Sequence, residues 1–288
     1  MNDIQYATDI AELTLCADDS NAFVSDNSLN IAFDLANSCC NQLSVWFRSN
    51  LLSINYSKTV YMLFCPSKKD EELPQNNPNI IIEGINIDRV YFSKFLGIYI
   101  DSKLNFKHHI NHLINKLNSF RGMVYSRRDF LPFSCRRNLF IAIIYSHIQY
   151  CIEVYFSANK TTIDPLHIAC NRALRTFQGV TRFHNVKQLY LNYGILPLHL
   201  LGKLSVSTLI YKSLHCVDLN LNSISNLFKD LSEPIHDYPT RLKLTNYLYK
   251  KSDKSFYSSY INFASSTWNE VPVKIRNSTS LGSFKTVI

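Results

Sequence analysis

Two adjacent carboxylates, Asp18 and Asp19, are the residues of this chain best suited to chemistry. They lie within residues 12–25, where two short apolar segments flank a turn-type cluster at 18–21, and this pattern predicts a β-hairpin. Neighbouring carboxylates repel each other unless they are protonated or share a cation, so the pair suits Mg²⁺. The alternative is an ordinary surface turn, because aspartate is common in turns.

Two other sets of residues are candidates for a chemical role. Lys58 stands at the start of a β-rich run, residues 59–65, and taken by itself it is a plain surface lysine at a strand start. His108 and His112 have the i, i+4 spacing of metal ligands and His109 lies between them, but the glutamate of an H-E-x-x-H motif and a third ligand are missing, so no metal site is predicted there.

The eight cysteines form no C-x-x-C pair. We expect buried thiols in a reducing, intracellular compartment.

Positive charge is concentrated in one stretch of the chain. Of a net charge of +8, +7 falls within residues 103–137, which hold one acid, Asp129, and eight bases: Lys103, Lys107, Lys116, Arg121, Arg127, Arg128, Arg136 and Arg137. Such a local excess favours a polyanionic partner, and nucleic acid is the first candidate. The alternative is a solvated helix face.

Hydrophobic periodicity predicts a mixed N-terminal part and a helical remainder. Before residue 103 we expect a helix over 28–48 and short strands over 59–65, 80–82, 90–92 and 95–100. From about residue 104 the spacing becomes helical, with a seam of Phe106, Ile110, Leu113, Leu117, Phe120 and Val124. Further helices are expected from 134, with 139–145 mostly buried, and over 162–178, 186–193, 198–216 and 253–268. Since the longest apolar run has seven residues, we predict no membrane span.

Four motifs in order resemble the reverse transcriptases of jockey-like non-LTR retrotransposons. Residues 16–20, CADDS, resemble [FY]-A-D-D-[ST], and residues 55–59, NYSKT, resemble N-x-x-K-T. Residues 94–98, KFLGI, with 101–106, DSKLNF, resemble the primer-grip region and its continuation into the thumb. Residues 268–276, WNEVPVKIR, resemble the C-terminal W-N-x-[LV]-P-x-x-I-R of the same family.

The resemblance implies a fold and a set of roles. The fold would be α+β, with part of a reverse-transcriptase palm at 1–103, a helical thumb at 104–160 and a helical C-terminal region at 161–288. Asp18 would bind two catalytic Mg²⁺ ions with Asp19 in support, and Lys58 would protonate the leaving pyrophosphate. Phe95, Leu96 and Gly97 would form the primer grip, although an ordinary strand with a glycine bulge is the alternative. The eight bases would hold an RNA template and DNA primer.

Two departures from the family limit this expectation. Cys16 stands where the family has an aromatic residue that helps to place the primer end. The family's first metal-binding aspartate and nucleotide loop have no counterpart in the sequence. We therefore expect the chain alone not to polymerise DNA. A non-catalytic nucleic-acid-binding module and a poorly folding relic or helical interaction protein are the alternatives.

Overall fold

The computed structural model describes residues 3–17, 19–65, 79–215, 222–232, 247–248 and 256–287. The chain divides into two compact units, Met1–Ser93 and Lys94–Ile288. The first unit contains strands and one long helix, and the second is almost entirely helical. The α+β class is confirmed, while the predicted division at residues 103 and 160 stays a prediction.

The first unit contains the predicted hairpin. Strands β1 (Glu12–Cys16) and β2 (Asp19–Phe23) pair antiparallel, in register from Glu12 opposite Phe23 to Cys16 opposite Asp19. The turn predicted at 18–21 is therefore wrong, since Asp19 already belongs to β2. Ala17 takes a left-handed conformation, with φ of 54°, and this closes the strands earlier than the polar cluster suggested.

Helix α1 (Leu29–Ser49) packs on a set of short strands. Strand β3 (Val60–Tyr61) pairs in parallel with β6 (Asp88–Arg89), and β4 (Ile81–Ile82) pairs antiparallel with β5 (Ile85–Asn86). The strand predicted over 59–65 is thus reduced to two residues. Apolar side chains from α1 and residues 80–87 form the core: Phe33, Ile80, Ile82 and Ile87.

The second unit begins within a hairpin. Strand β7 (Phe92–Phe95), whose last two residues open this unit, pairs with β8 (Ile98–Asp101). The single strand expected over 95–100 is wrong, because Leu96 and Gly97 form a turn within it. The predicted long helix follows as α2 (Lys107–Tyr125).

The remaining helices build the rest of this unit. They are α3 (Phe133–Phe140), continued by a π-helical turn (Ile141–Tyr145), α4 (Ser146–Gln149), α5 (Ile152–Tyr155), α6 (Lys160–Gln178), α7 (Val186–Tyr193), α8 (Leu198–His215), α9 (Asn222–Ser232), α10 (Phe256–Glu270), α11 (Val273–Arg276) and α12 (Leu281–Val287). In the part of the chain described, no single helix is long and apolar enough to cross a membrane. By length and composition alone, α7 and α8 would do so only as a pair bent by 49°.

The predicted seam of α2 is the centre of the first helical core. Five of its six positions are buried and Phe120 packs at the edge, against residues of α3 to α7. Residues 139–145 are less buried than predicted, since only Phe140 and Ile144 reach the interior. Phe140 and Ile144, four residues apart, lie on one face of the helix, and this face is the one that packs in the core.

The C-terminal motif packs within a second core formed by α8, α9, α10 and α12. Trp268 is fully buried and its ring lies 5.9 Å from that of Phe284. The Asn269 side chain donates to the Leu248 carbonyl at 2.9 Å and accepts from the Leu248 amide at 3.1 Å. These motif residues therefore act in packing and hold distant segments together.

Candidate nucleic-acid interface

The hairpin of the first unit presents Asp19 to solvent. Asp19 opens β2 and is exposed, and Asp18 lies outside the described residues. Among the described residues, no group of three histidine, cysteine or acidic side chains comes together as a metal site. The assignment of Asp18 and Asp19 to Mg²⁺ stays a prediction.

Lys58 lies on an exposed turn that its neighbours hold in place. The Asn55 carbonyl accepts hydrogen bonds from the amides of Lys58, at 3.1 Å, and Thr59, at 3.0 Å. The Lys58 side chain is exposed. Among the described residues, no hydrogen bond or ion pair joins Lys58 to Asp19.

A carboxylate that the sequence did not single out anchors this turn. Glu83 accepts a 2.7 Å hydrogen bond from the Tyr56 hydroxyl and pairs with the Arg48 guanidinium at the end of α1. The hydrogen bond from Tyr56, followed by that from Arg48, lowers the pKa of Glu83, and the Glu83 carboxylate raises the pKa of Tyr56. The segment that carries Lys58 is thereby tied to α1 and to the β4–β5 turn.

The predicted primer-grip residues form the β7–β8 turn. Leu96 and Gly97 are exposed and both take left-handed conformations, with φ of 44° and 87°, while Phe95 is half-buried. The Tyr150 hydroxyl donates a 2.7 Å hydrogen bond to the Leu96 carbonyl oxygen. A Cβ at position 97 would lie 3.2 Å from Tyr150 Cε1, so only glycine gives this turn both its backbone and its clearance.

A buried carboxylate connects this hairpin to α2. Asp101 is 5% exposed and accepts three backbone hydrogen bonds, from the amides of Lys103 (3.2 Å), Asn105 (3.1 Å) and Phe106 (2.7 Å). Its negative charge also lies before the first turn of α2, where the helix dipole favours an anion. Asp101 therefore fixes the direction in which α2 leaves the hairpin.

The bases on α2 lie along the edges of its exposed face. At 100° per residue, Lys107 and Arg121 fall within about 40° of each other, and Lys116 falls on the opposite flank. Lys107 is exposed, and Lys116 and Arg121 are half-buried. The outward face between them carries neutral polar side chains, histidines and the exposed Met123, so the positive charge borders this face on both sides.

Two of the predicted phosphate-binding arginines form hydrogen bonds to main-chain carbonyls within the fold. Arg136 Nη1 donates to the carbonyl oxygens of Phe177 (3.2 Å) and Gln178 (2.9 Å), at the end of α6. Arg137 Nε donates to the Tyr193 carbonyl oxygen at 2.9 Å, at the end of α7. The last carbonyls of a helix lack internal partners, so both arginines cap helices. The other predicted bases are Lys103 and Arg127, which are exposed, and Arg128, which is half-buried.

His109 is the one member of the histidine group that enters the core. It is 2% exposed, its Nδ1 lies 3.5 Å from the Tyr99 amide, and its Nε2 has no hydrogen-bond partner among the residues that the structure describes. Burial, with a smaller contribution from His112, lowers the pKa of His109 to about 4. His109 is therefore a neutral core residue, and the ring of exposed His112 packs against Tyr99 at 5.0 Å.

Comparison with known proteins supports one relationship. The chain is 23% identical over 174 residues to a Drosophila melanogaster protein named "Probable RNA-directed DNA polymerase from transposon BS". The chain is a distant relative of a transposon reverse transcriptase. The match covers 55% of this chain and 19% of that protein, so the chain spans about a fifth of its relative. No family model and no solved structure matches the chain.

Proposed function

We propose that this chain is the catalytic-hairpin, primer-grip and thumb portion of a non-LTR retrotransposon reverse transcriptase. Its own activity is to bind an RNA template paired with a DNA primer. The observation that carries the proposal is the Leu96–Gly97 turn, which is exposed, clamped by Tyr150 and joined through Asp101 to the start of α2. A rigid turn without a side chain at Gly97 suits close backbone approach by a nucleic-acid strand.

The charges around this turn suit a duplex. Lys103 lies between the turn and α2, Lys107 is the first residue of α2, and Lys116 and Arg121 flank the helix face that follows. Lysines and arginines that reach phosphates supply affinity without sequence preference, as a template–primer complex requires. Arg127 and Arg128 extend the charge beyond the end of α2.

The chemistry of the parent enzyme would use the first unit. Asp18 and Asp19 would hold Mg²⁺, which stabilises the charge that develops in nucleotidyl transfer. Lys58, on its exposed turn, would give a proton to the leaving group. Because two-metal catalysis needs a further carboxylate from a segment without a counterpart in these 288 residues, the chain by itself binds template–primer and does not extend it.

The test is a paired binding and extension assay on the whole chain. A fluorescent RNA–DNA hybrid should bind, and Lys107→Gln, Lys116→Gln and Arg121→Gln should each lower the salt dependence by about one phosphate contact. Lys203→Gln is the control, because Lys203 pairs with Glu270 on other helices. Absence of hybrid binding, or Mg²⁺-dependent primer extension by the chain alone, would overturn the proposal.

A non-catalytic module unrelated to polymerisation is the second candidate, and the charge distribution alone favours it. It predicts equal affinity for any polyanion. The reverse-transcriptase proposal predicts that Gly97→Ala also weakens hybrid binding, because this uncharged change disturbs the grip turn. Equal binding by the Gly97→Ala variant would favour the second candidate.

A further inference from the structure

Three exposed aromatic rings lie near the end of the second unit where α2 and α6 finish. Tyr125 is the last residue of α2, Phe130 closes the turn Arg128–Phe130, and Phe183 lies in the loop after α6. Their exposed fractions are 61%, 86% and 82%. Large apolar rings are costly to leave in water, so a group of them on one part of a surface indicates a binding site.

Arginines lie over two of these rings. The Arg128 guanidinium carbon is 4.6 Å from the centre of the Tyr125 ring, and that of Arg182 is 4.6 Å from the centre of the Phe183 ring. Rings and guanidinium planes are the two protein surfaces on which unpaired bases stack. In this chain a ring and a guanidinium group lie next to each other in both pairs, Tyr125 with Arg128 and Phe183 with Arg182.

The fold brings the two segments together. Arg128 Nε lies 3.9 Å from the position that a Cβ of Gly179 would take, at the end of α6. The loop that carries Phe183 folds back on the same helix, because Arg175 Nε donates to the His184 carbonyl oxygen at 3.0 Å. We call Tyr125, Phe130, Phe183, Arg128 and Arg182 the aromatic–arginine surface.

The charge around this surface selects a polyanion. Residues 121–137 carry five arginines and one acid, Asp129. Residues 172–187 add Arg172, Arg175, Arg182 and Lys187 and no acid. Sequence reasoning stopped at Arg137, because only the folded chain brings the second segment beside the first. A partner that matches both the charge and the open rings is a strand with phosphates and unpaired bases.

We propose that the aromatic–arginine surface binds single-stranded nucleic acid, with bases stacked on Phe130, Phe183 and Tyr125 and phosphates near the arginines. The site differs from the duplex interface in ligand, and it shares only Arg128 with the bases assigned to that interface. It requires neither catalysis nor the primer grip, so it can hold whether or not the proposed function does.

The experiment uses the whole chain and labelled single strands of about 12 nucleotides that contain 2-aminopurine, as RNA and as DNA. Binding should change the 2-aminopurine fluorescence, which reports stacking. Phe130→Ala with Phe183→Ala should weaken binding by about fivefold or more and abolish the fluorescence change. Tyrosine at both positions should restore both readouts, because it keeps a ring.

A matched control and a second ligand separate the outcomes. Tyr91→Ala removes another exposed ring, 65% exposed and 5.1 Å from the Arg89 guanidinium carbon, and should change nothing. An RNA–DNA hybrid should bind the double alanine variant as the parent chain does. Preference for RNA, or equal binding of RNA and DNA, supports the site. Unchanged single-strand affinity in the double variant, or an equal loss for the hybrid, overturns it.

Discussion

The Tyr150 hydroxyl donates a 2.7 Å hydrogen bond to the Leu96 carbonyl oxygen, across 54 residues of sequence. This bond fixes the β7–β8 turn from the side of the helical core, and the Tyr150 ring also limits the space at Gly97. Tyr150→Phe should lower the free energy of unfolding by about 0.5–1.5 kcal/mol, measured by urea denaturation.

Gly97→Ala should lower the free energy of unfolding by more than the loss of that hydrogen bond does. The change imposes a left-handed conformation on alanine and places a Cβ 3.2 Å from the Tyr150 ring. We therefore expect the free energy of unfolding to fall by about 1–2 kcal/mol or more. Gly122→Ala is the control, since Gly122 lies within α2 with open space around it, and it should stabilise the chain by up to about 1 kcal/mol. Equal effects of the two changes would contradict the structure.

Asp101 should be more important for stability than its sequence position suggests. Asp101→Ala leaves three backbone amides without their acceptor at the start of α2, and we expect a loss of about 2–4 kcal/mol. Asp101→Asn keeps one carbonyl oxygen and should lose less. Asp129→Ala, whose side chain is 80% exposed, should be nearly neutral. The comparison is made by chemical denaturation.

Arg136 and Arg137 should affect stability as well as charge. Either arginine replaced by methionine keeps the apolar stem and removes the helix cap, so the free energy of unfolding should fall by about 1–2 kcal/mol. Arg127→Met removes the same charge from an exposed position and should leave stability unchanged. If all three variants unfold alike, the capping role is wrong.

Acid should destabilise the chain through His109. Since burial lowers its pKa in the folded state to about 4, the unfolded chain binds a proton that the folded chain does not between about pH 6.5 and pH 4. The free energy of unfolding is therefore unaffected by His109 above pH 6.5. It falls as the pH is lowered through this range, by up to about 3 kcal/mol. His147 and His167, whose pKa values burial also lowers, act in the same direction.

The measurement for His109 is the unfolding free energy at several pH values. His109→Gln, which can still accept from the Tyr99 amide, should flatten the slope between pH 6.5 and 4. His108→Gln changes the exposed neighbouring position and should retain the full slope. A slope that His109→Gln leaves unchanged would contradict the burial of a neutral imidazole.

Local pattern was enough to predict some elements and not others. The α2 seam follows from apolar spacing alone. Helices α6 and α7 end at residues 178 and 193 as predicted, because Gly179 and Gly194, which follow, take the left-handed conformation that ends helices. The turns at Ala17 and Leu96 were missed because residues other than glycine rarely adopt positive φ. The caps by Arg136 and Arg137 were missed because each joins segments more than 40 residues apart.

The most direct test of the account is the affinity of the whole chain for an RNA–DNA hybrid as salt rises from about 50 to 200 mM. We predict binding that weakens steeply, with a slope of log affinity against log salt of about −3 or steeper, and a shallower slope for the Lys107→Gln and Lys116→Gln double variant. Binding that is absent at low salt, or a slope that this variant leaves unchanged, would contradict the account.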